Sequence, residues 1–574
     1  MKLRKVTIHN IRSVQHATFE VSNYSILVGE NNVGKTNIFT ALRLFYEDNL
    51  KYKREVDFPK NNPSDPESWI ELAFETTEDE QKSLKSDYQS QDRILKVRRF
   101  FESNNNLVKS GQSNIYAYES GELSKSLFYG AKNISQTKLG KIIHIPAVNI
   151  TNDNLKLSGP SPFRKMLNFV MERAVHESPS FKNLSNAFNQ FNSNFRKESS
   201  SEGLSVNSLI DKINSEIGGW NVLFDISVNS LKPEEIVKHF LSDYIKDVNL
   251  DSNKIDVDLF GQGFQRRLIY TLIKLSSQYI VSRSTKKKDF DPNFNLLLFE
   301  EPEAFLHPSQ QQFLCLSLRE LGNGNLEQVL VSTHSPHFVS KQTSCLTGII
   351  KLSKEKGVTT TFQIKKDDLR QIHDKNTSLY KTFSDCLKSE DICAQTKKYI
   401  EKNKLGDKCP NLKEKLDEEY LNYFLWLDSE KTSLFFAQKV ILCEGASEKI
   451  FIDYMIDTEW SEFRERNIYL LNVQGKYNIH RYMALLAALG IEHSVLVDSD
   501  GHQGIHKIIH EFLEERKTNF TKKIHYFDKD FEKFLEIEKP NRNDMKPLNV
   551  MMKYQRKEIP SKKIEELKNI LNDM

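Results

Sequence analysis

Short apolar runs alternate with helical patterns along the first two thirds of this chain. Tyr24–Val28, 295–299 and 328–332 are short, mostly apolar runs, which are typical of strands buried on both faces. Between residues 160 and 250 the apolar positions mostly follow a helical period instead. The pattern predicts an α/β domain whose strands are separated by a long helical insertion.

A second α/β pattern occupies the last third of the chain. Strand-like runs at 440–443, 468–473 and 494–497 enclose helical patterns at 447–456 and 482–489. Parallel neighbouring strands need a crossover helix, so this βαβαβ order predicts a parallel, Rossmann-like sheet.

The first strand leads directly into a glycine-rich loop. Gly29–Asn37 has the spacing GxxxxGK[ST] and precedes a helical pattern, which is the context of a phosphate-binding loop. Glycines let backbone N–H groups close around phosphates, the lysine reaches the β- and γ-phosphates, and the threonine binds Mg²⁺. The residues predicted to bind ATP with its Mg²⁺ in this loop are Asn32, Gly34, Lys35, Thr36 and Asn37.

Two later strand ends carry candidate nucleotide chemistry. The strand at 295–299 runs into Glu300 and Glu301, and the following strand ends near His334. Glu300 is expected to hold the Mg²⁺ shell, and Glu301 to polarise an attacking water. His334 is expected to contact the γ-phosphate; the alternative is an ordinary strand-end histidine.

These motifs resemble the ATP-binding-cassette ATPases of the SMC, RecF and Rad50 type. Gly261–Arg267 stands where that class carries its signature motif but departs from the usual LSGGQ-type sequence, and Glu300 replaces a frequent aspartate. The resemblance implies ATP binding, whereas the departures argue against fast hydrolysis coupled to dimerisation.

Two pairs of acidic residues follow strands of the C-terminal pattern. Glu444 and Glu448 come after the first strand, and Asp498 and Asp500 after the third. Ser447 suits the N-cap of a helix, which would put Glu448 in its first turn. Because the carboxyl ends of parallel strands meet at one edge of a sheet, we expect the four carboxylates to lie together.

Such a cluster of oxygen ligands suits Mg²⁺ or Mn²⁺. Two ions about 4 Å apart can activate a water and stabilise the departing 3′-oxygen of a phosphodiester. Without cations, clustered carboxylates repel one another. The alternative is that these acidic strand ends simply face solvent.

The ExxxE and DxD motifs on this frame resemble a Toprim domain, the catalytic module of topoisomerases, primases and certain nucleases. A cassette ATPase followed by Toprim is similar to the OLD (overcoming lysogenization defect) family of nucleases, and Leu434–Ala437 and Gln474–Lys476 are further local matches. The resemblance implies a two-metal nuclease that cuts or nicks DNA. Members such as the Gabija nuclease and retron-associated effectors act in bacterial antiphage defence.

The OLD resemblance also singles out later residues. It makes Glu532 a candidate metal ligand and Lys546 a candidate cation that offsets negative charge on a phosphate. Both are equally compatible with ordinary surface charges. Lys476 is a third candidate for such a cation.

The patterns predict an order of domains. Residues 1–160 and 251–350 are expected to form the two parts of the ATPase domain, 161–250 the helical insertion, 351–435 a helical connector and 436–574 the Toprim domain. The insertion either mediates oligomerisation or forms a peripheral helical layer of one monomer.

Composition adds few constraints. The chain has 574 residues and a net charge of +3, so we expect several domains and a DNA site confined to a local patch. It has no apolar run of about 18 residues and no signal-like start, so no membrane span and a cytoplasmic location are expected. The six scattered cysteines lack the CxxC spacing of a structural zinc site.

The favoured hypothesis is an ATP-regulated, divalent-metal-dependent DNA endonuclease of antiphage defence, expected as a homo-oligomer (dimer or tetramer). A reverse transcriptase with its RNA–DNA product, or a helicase, are the partners that the resemblance suggests. The alternative is a RecF- or SMC-like DNA repair ATPase with a non-catalytic Toprim domain.

Overall fold

The computed structural model of the chain describes residues 1–147, 295–406 and 431–574, with short gaps at 49, 105–106, 132–138, 305, 325–326 and 340–342, and parts of 148–294. Its contacts divide the chain into two compact units. The first comprises residues 1–144, 287–303 and 307–574, and the second 145–286 and 304–306. Within the described residues, no helix is both long and apolar enough to cross a membrane.

The strands, in chain order, are β1 (Lys2–Ile11), β2 (Val14–Glu20), β3 (Tyr24–Val28), β4 (Ser68–Glu75), β5 (Ile94–Glu102), β6 (Ile115–Glu119), β7 (Glu122–Leu123), β8 (Lys141–Ile145), β9 (Ile245–Lys246), β10 (Lys254–Ile255), β11 (Asn295–Glu300), β12 (Glu327–Ser332), β13 (Ile349–Glu355), β14 (Val358–Gln363), β15 (Lys439–Cys443), β16 (Ile468–Asn472), β17 (Glu492–Asp498) and β18 (Thr521–Phe527).

The helices are α1 (Lys35–Tyr46), α2 (Arg54–Asp57), α3 (Glu78–Ser83), α4 (Pro179–Phe195), α5 (Val206–Ile217), α6 (Pro308–Gly322), α7 (Lys366–Lys388), α8 (Ala394–Lys402), α9 (Ala446–Thr458), α10 (Lys476–Ala488), α11 (Gly504–Glu515), α12 (Phe531–Phe534), α13 (Lys546–Gln555) and α14 (Ser561–Asn572).

The N-terminal part of the first unit contains two six-stranded sheets. One has the order β2-β1-β4-β5-β6-β7 and is antiparallel, and the other has the order β14-β13-β3-β12-β11-β8. In the second sheet, β12 runs parallel to β3 and β11, as expected for strands that are apolar on both faces. Helix α1 shares one apolar core with both sheets, to which Ile38 and Phe39 contribute from the helix.

A four-stranded parallel sheet, in the order β16-β15-β17-β18, carries the C-terminal part. This confirms the βαβαβ prediction, although the second crossover helix already starts at Lys476. Gly445 occupies the N-cap position of α9, so the N-cap expected at Ser447 is wrong. Glu448 nevertheless lies in the first turn, because the helix starts one residue before Ser447.

The expected helical connector at 351–435 is wrong in its first part. Residues 349–363 form the antiparallel hairpin β13–β14, which extends the ATPase sheet beside β3. Its turn has positive φ at both Lys356 (+47°) and Gly357 (+85°), a conformation typical of tight hairpins. The charged residues suggested a helix, but the β-branched run Val358–Thr361 favours a strand. Helices α7 and α8 follow, and 407–430 lie outside the described residues.

The second unit contains helices α4 and α5 and the two-residue strand pair β9–β10. Its bounds of 145–286 are wider than the expected insertion at 161–250. The expected bounds followed the helical pattern alone, whereas the main segment of this unit begins at the end of β8 and stops before β11 along the chain. The signature-like segment Gly261–Arg267 lies mostly outside the described residues.

Candidate functional site

The phosphate-binding loop joins β3 to α1, and its lysine is buried. The Lys35 Nζ donates to the backbone carbonyls of Gly29 (2.9 Å) and Glu30 (2.7 Å). Burial lowers the pKa of Lys35 to about 8, and the carboxylates of Glu301, Glu303 and Glu30 oppose that shift. The acidic end of β11 therefore lies close enough to the loop to act on its lysine.

A chain of hydrogen bonds braces the loop from the β13–β14 hairpin. The Thr359 hydroxyl donates to the Val33 carbonyl at 2.8 Å. Since that hydroxyl has one hydrogen, Ser13 Oγ must donate to Thr359 Oγ1 (2.7 Å), and Asn37 Nδ2 donates to Ser13 Oγ (2.7 Å). Gly34 has φ +107°, and a Cβ there would overlap the Thr359 hydroxyl, so glycine is required.

The two remaining residues of the predicted loop are exposed. Asn32 has φ +62°, and its Oδ1 accepts from Lys354 Nζ at 3.5 Å, a second contact from the hairpin. Thr36 is exposed in the first turn of α1, where its side chain can reach a bound ion. The five predicted residues therefore lie together, in the loop between β3 and α1 and in the first turn of α1.

The ends of β11 and β12 add the other predicted nucleotide residues. Glu301 has φ +42°, and its Oε1 lies 3.7 Å from His334 Nε2. Burial and the nearby Lys35 ammonium lower the pKa of His334, while Glu301 opposes the shift. Glu300 pairs instead with His144, whose Nε2 lies 3.4 Å from its carboxylate. The structure thus brings Lys35, Glu301 and His334 together, with Glu300 as the last residue of β11 directly before Glu301.

Sequence reasoning missed Glu303. Its Oε1 accepts a hydrogen bond from the backbone N–H of His334 at 2.6 Å, and burial raises its pKa. Its Oε2 is buried and makes no hydrogen bond to the described residues. The run Glu301-Pro302-Glu303 does show a third acid at this strand end, but the sequence does not show that its side chain bonds the backbone of His334.

The four predicted acids of the C-terminal sheet lie together at the carboxyl ends of β15 and β17. The backbone N–H of Asp498 donates to Glu444 Oε2 at 3.0 Å, which joins the two strand ends. Glu448 is only 3% exposed. One oxygen of Glu448 (Oε2) and one of Asp498 (Oδ1) are buried without a hydrogen-bond partner among the described residues.

These carboxylates are strongly perturbed. Burial raises the pKa of Glu448 to about 7, and the neighbouring Glu444 and Glu532 add to the effect. Burial raises the pKa of Asp498 to about 9, with further contributions from Glu448, Glu444 and Asp500. Carboxylates that are buried against one another need a compensating cation to ionise together. Perturbed, buried acids of this kind are typical of functional sites.

Glu532 and Lys546 belong to the same cluster rather than to the outer surface. Glu532 is 1% exposed in α12, and one of its oxygens (Oε1) is buried without a hydrogen-bond partner among the described residues. Lys546 begins α13, and its Nζ lies 3.7 Å from Glu532 Oε2. The Lys546 ammonium also opposes the rise in the pKa of Glu444 and Glu448.

Lys476 reaches the cluster from the N-terminus of α10. It is 5% exposed, and its Nζ pairs with the Asp500 carboxylate. The same Nζ donates to the Asp498 carbonyl at 3.1 Å and lies 3.8 Å from Glu444 Oε2. The third candidate cation therefore makes more contacts with the acids than Lys546 does.

The donor set fits divalent cations. Its oxygens are hard carboxylate donors, and three buried oxygens lack a hydrogen-bond partner among the described residues, as ligands awaiting a metal would. Within the described chain, however, no three acidic, histidine or cysteine side chains already surround a single point. The Lys476 ammonium lies among the oxygens that would have to converge.

The fold and its two sites define a P-loop ATPase joined to a Toprim-type domain. Residues 1–339, more than half of the chain, match the family described as AAA ATPase domain, and the chain belongs to that family. Residues 435–500 match the Toprim domain of overcoming lysogenization defect protein-like proteins. The predicted fold class and the OLD resemblance are thereby confirmed.

Two curated relatives span most of the chain. Endonuclease GajA of Bacillus cereus (strain VD045) is 23% identical over 545 residues, which cover 89% of this chain and 78% of that protein. Old nuclease of Escherichia phage P2 is 24% identical over 516 residues, which cover 87% and 77%. Among solved structures, an Smc head domain of Pyrococcus furiosus bound to the C-terminal domain of ScpA is 13% identical, covers 65% of this chain and 99% of that chain, and has a TM-score of 0.38.

Proposed function

We propose that this chain is an ATP-regulated, divalent-metal-dependent DNA endonuclease. The buried acidic cluster carries the proposal, because packing so many carboxylates together is costly unless cations bind there. The two relatives named as nucleases, which share most of its length, support the same activity.

Each residue of the cluster has a role in this proposal. The metal ligands would be Glu444, Glu448, Asp498, Asp500 and Glu532. When bound, Mg²⁺ or Mn²⁺ would supply an activated water and stabilise the departing 3′-oxygen. Lys546 is partly exposed next to Glu532, so its ammonium would neutralise charge on the phosphate of the bound DNA.

The N-terminal site would bind ATP with Mg²⁺. The phosphates would lie against the backbone of the glycine-rich loop, with Lys35 and Thr36 as described. Glu300 would complete the Mg²⁺ shell, Glu301 would polarise water, and His334 would contact the γ-phosphate. Glu303 holds the backbone of His334, so it would position that histidine.

Cleavage of supercoiled plasmid tests the proposal. Wild-type protein is assayed across Mg²⁺, Mn²⁺ and Ca²⁺, with and without ATP, beside Glu448→Ala and Asp500→Ala. Both variants should lose cleavage and keep ATP binding, because their side chains lie in the C-terminal sheet. Glu515→Ala, an exposed glutamate on α11, is the matched control and should cut like wild type.

Two outcomes would contradict the proposal in different ways. Cleavage that survives both Glu448→Ala and Asp500→Ala would show that the site is wrong. A wild-type protein that binds DNA but nicks it with none of the three metals would favour a RecF-like repair ATPase with a non-catalytic Toprim domain.

We further propose a biological setting: a homo-oligomer, dimer or tetramer, acting in the bacterial cytoplasm as an effector of antiphage defence. A reverse transcriptase with its RNA–DNA product, or a helicase, would be its partner. Phage plating on cells that carry the gene with its neighbours tests this setting. Protection should disappear with Lys35→Ala or Glu448→Ala, and protection that persists in both variants would refute the role of these sites.

A further inference from the structure

The acidic cluster has two unlike sides. On one side, Glu448 Oε2, Asp498 Oδ1 and Glu532 Oε1 are buried and make no hydrogen bond to the described residues. On the other side, the oxygens of Asp500 and Glu444 face the Lys476 ammonium. The three oxygens of the first side thus have no hydrogen-bond partner among the described residues, although Lys546 Nζ lies 3.7 Å from the other oxygen of Glu532 (Oε2). The oxygens of Asp500 and Glu444, in contrast, already face an ammonium at close range.

The position of Lys476 is well fixed. It is the first residue of α10, and its ammonium contacts the Asp498 carbonyl, the Asp500 carboxylate and His506 Nδ1 (3.3 Å). Further along α10, the Arg481 guanidinium donates to the Tyr380 hydroxyl of α7 at 3.2 Å. The helix that carries Lys476 is therefore anchored both at the cluster and against α7.

We propose that Lys476 is a built-in cation that holds one of two cation positions in the cluster. One divalent ion then binds at the side of Glu448, Asp498 and Glu532, and a second must displace the ammonium from Asp500 and Glu444. The inference rests on the proposed metal-dependent function and adds to it the order in which the two divalent ions bind. Lys476 acts on the metal positions through Asp500 and Glu444, so it is a positioning residue.

A purely structural role makes the opposite prediction for metal affinity. If Lys476 only pinned the Asp500 loop in place, its removal would loosen the ligands and weaken metal binding. If it competes with the ion, its removal strengthens the binding of the second ion. The sign of the change in affinity therefore separates the two roles.

Binding of Mn²⁺ to the full chain, without DNA or nucleotide, supplies the readout. Titration followed by electron paramagnetic resonance or calorimetry should show a tighter and a weaker class of sites in the wild type. In Lys476→Gln the weaker class should tighten by about tenfold or more, since a partly buried opposite-charge contact no longer competes. Lys476→Arg keeps the charge and should resemble the wild type, as should Lys507→Gln, an exposed lysine on α11.

Glu448→Gln distinguishes failure of this inference from failure of the proposed function. It should remove the tighter class; if it leaves Mn²⁺ binding unchanged, the proposed metal site itself is wrong. If Glu448→Gln acts as expected but Lys476→Gln leaves the weaker class unchanged or weaker, only the role of Lys476 is refuted. Thermal unfolding establishes that each variant is folded, and Lys476→Met replaces the glutamine variant if that one does not fold.

Discussion

Thr359→Val should weaken ATP binding, although Thr359 lies beyond the segment 1–339 that matches the ATPase family. The substitution keeps the shape of the side chain and the backbone hydrogen bond from the Thr359 N–H to the Ser13 carbonyl (2.8 Å). It removes only the hydroxyl that links Ser13 to the Val33 carbonyl in the phosphate-binding loop.

The expected loss of ATP affinity follows from the Val33 carbonyl, which is left without its hydrogen-bond donor. Val33 is 3% exposed, so water does not readily replace the lost donor to its carbonyl. A buried acceptor that loses its partner costs about 1–3 kcal/mol, and the lost contact with Ser13 adds to it. If about 2 kcal/mol of this falls on the loop conformation that holds phosphates, ATP binds about 30-fold more weakly.

Titration with a fluorescent ATP analogue measures the change. Thr360→Val is the matched control, because Thr360 is exposed on the other face of β14 and bonds the Ser353 hydroxyl at the surface. The control should bind ATP like wild type. A folded Thr359→Val protein with wild-type affinity would refute the idea that the hairpin supports the loop.

Three further predictions concern neighbouring contacts. Burial lowers the pKa of Lys351 to about 8, so folding favours the neutral form of its side chain. The stability of the wild type relative to Lys351→Met should therefore rise between pH 8 and 10.5, by at most about 3 kcal/mol. Thermal unfolding across this pH range measures the change. Gly490→Ala should lower the melting temperature, because Gly490 has φ +64° and a Cβ would collide with the Phe362 ring; an unchanged melting temperature would contradict this. Glu303→Gln keeps an acceptor for the His334 N–H and removes only the negative charge. ATP hydrolysis should therefore fall without a loss of ATP binding. Unchanged hydrolysis would mean that the Glu303 charge does not matter and that its role is structural.

Local patterns were sufficient for much of the site. The glycine-rich loop and the four acids after β15 and β17 each lie within a few residues of the strand that positions them. Spacing alone could therefore place Lys35 at the start of α1, directly after the glycine-rich loop, and Glu448 near Glu444, because strand ends and first helical turns have fixed geometry.

The rest depended on contacts between residues far apart in the chain. Thr359 supports the loop at Gly34 because β13 pairs with β3, and no local pattern in either segment shows that pairing. Likewise, the sequence does not separate Glu532 from an ordinary surface charge, whereas in the structure it is buried in α12 beside the other acids. The sequence makes Lys476 one of several candidate cations, but its contacts with Asp500 and Glu444, like the hydrogen bond of Glu303 to the His334 backbone, appear only in the structure.

The hairpin β13–β14 also contacts the segments that lead into strands of the C-terminal sheet. Lys351 Nζ donates to the carbonyls of Phe435 (3.1 Å) and Ala437 (2.7 Å), directly before β15, and the Phe362 ring packs against Gly490 and, at 5.9 Å between ring centroids, Phe520. A nuclease module exchanged by recombination at residue 339 would bring a foreign hairpin to this phosphate-binding loop. Viable hybrids would therefore need a crossover after β14 and a glycine at the position of Gly490, which restricts how freely such ATPase and nuclease modules can be shuffled in evolution.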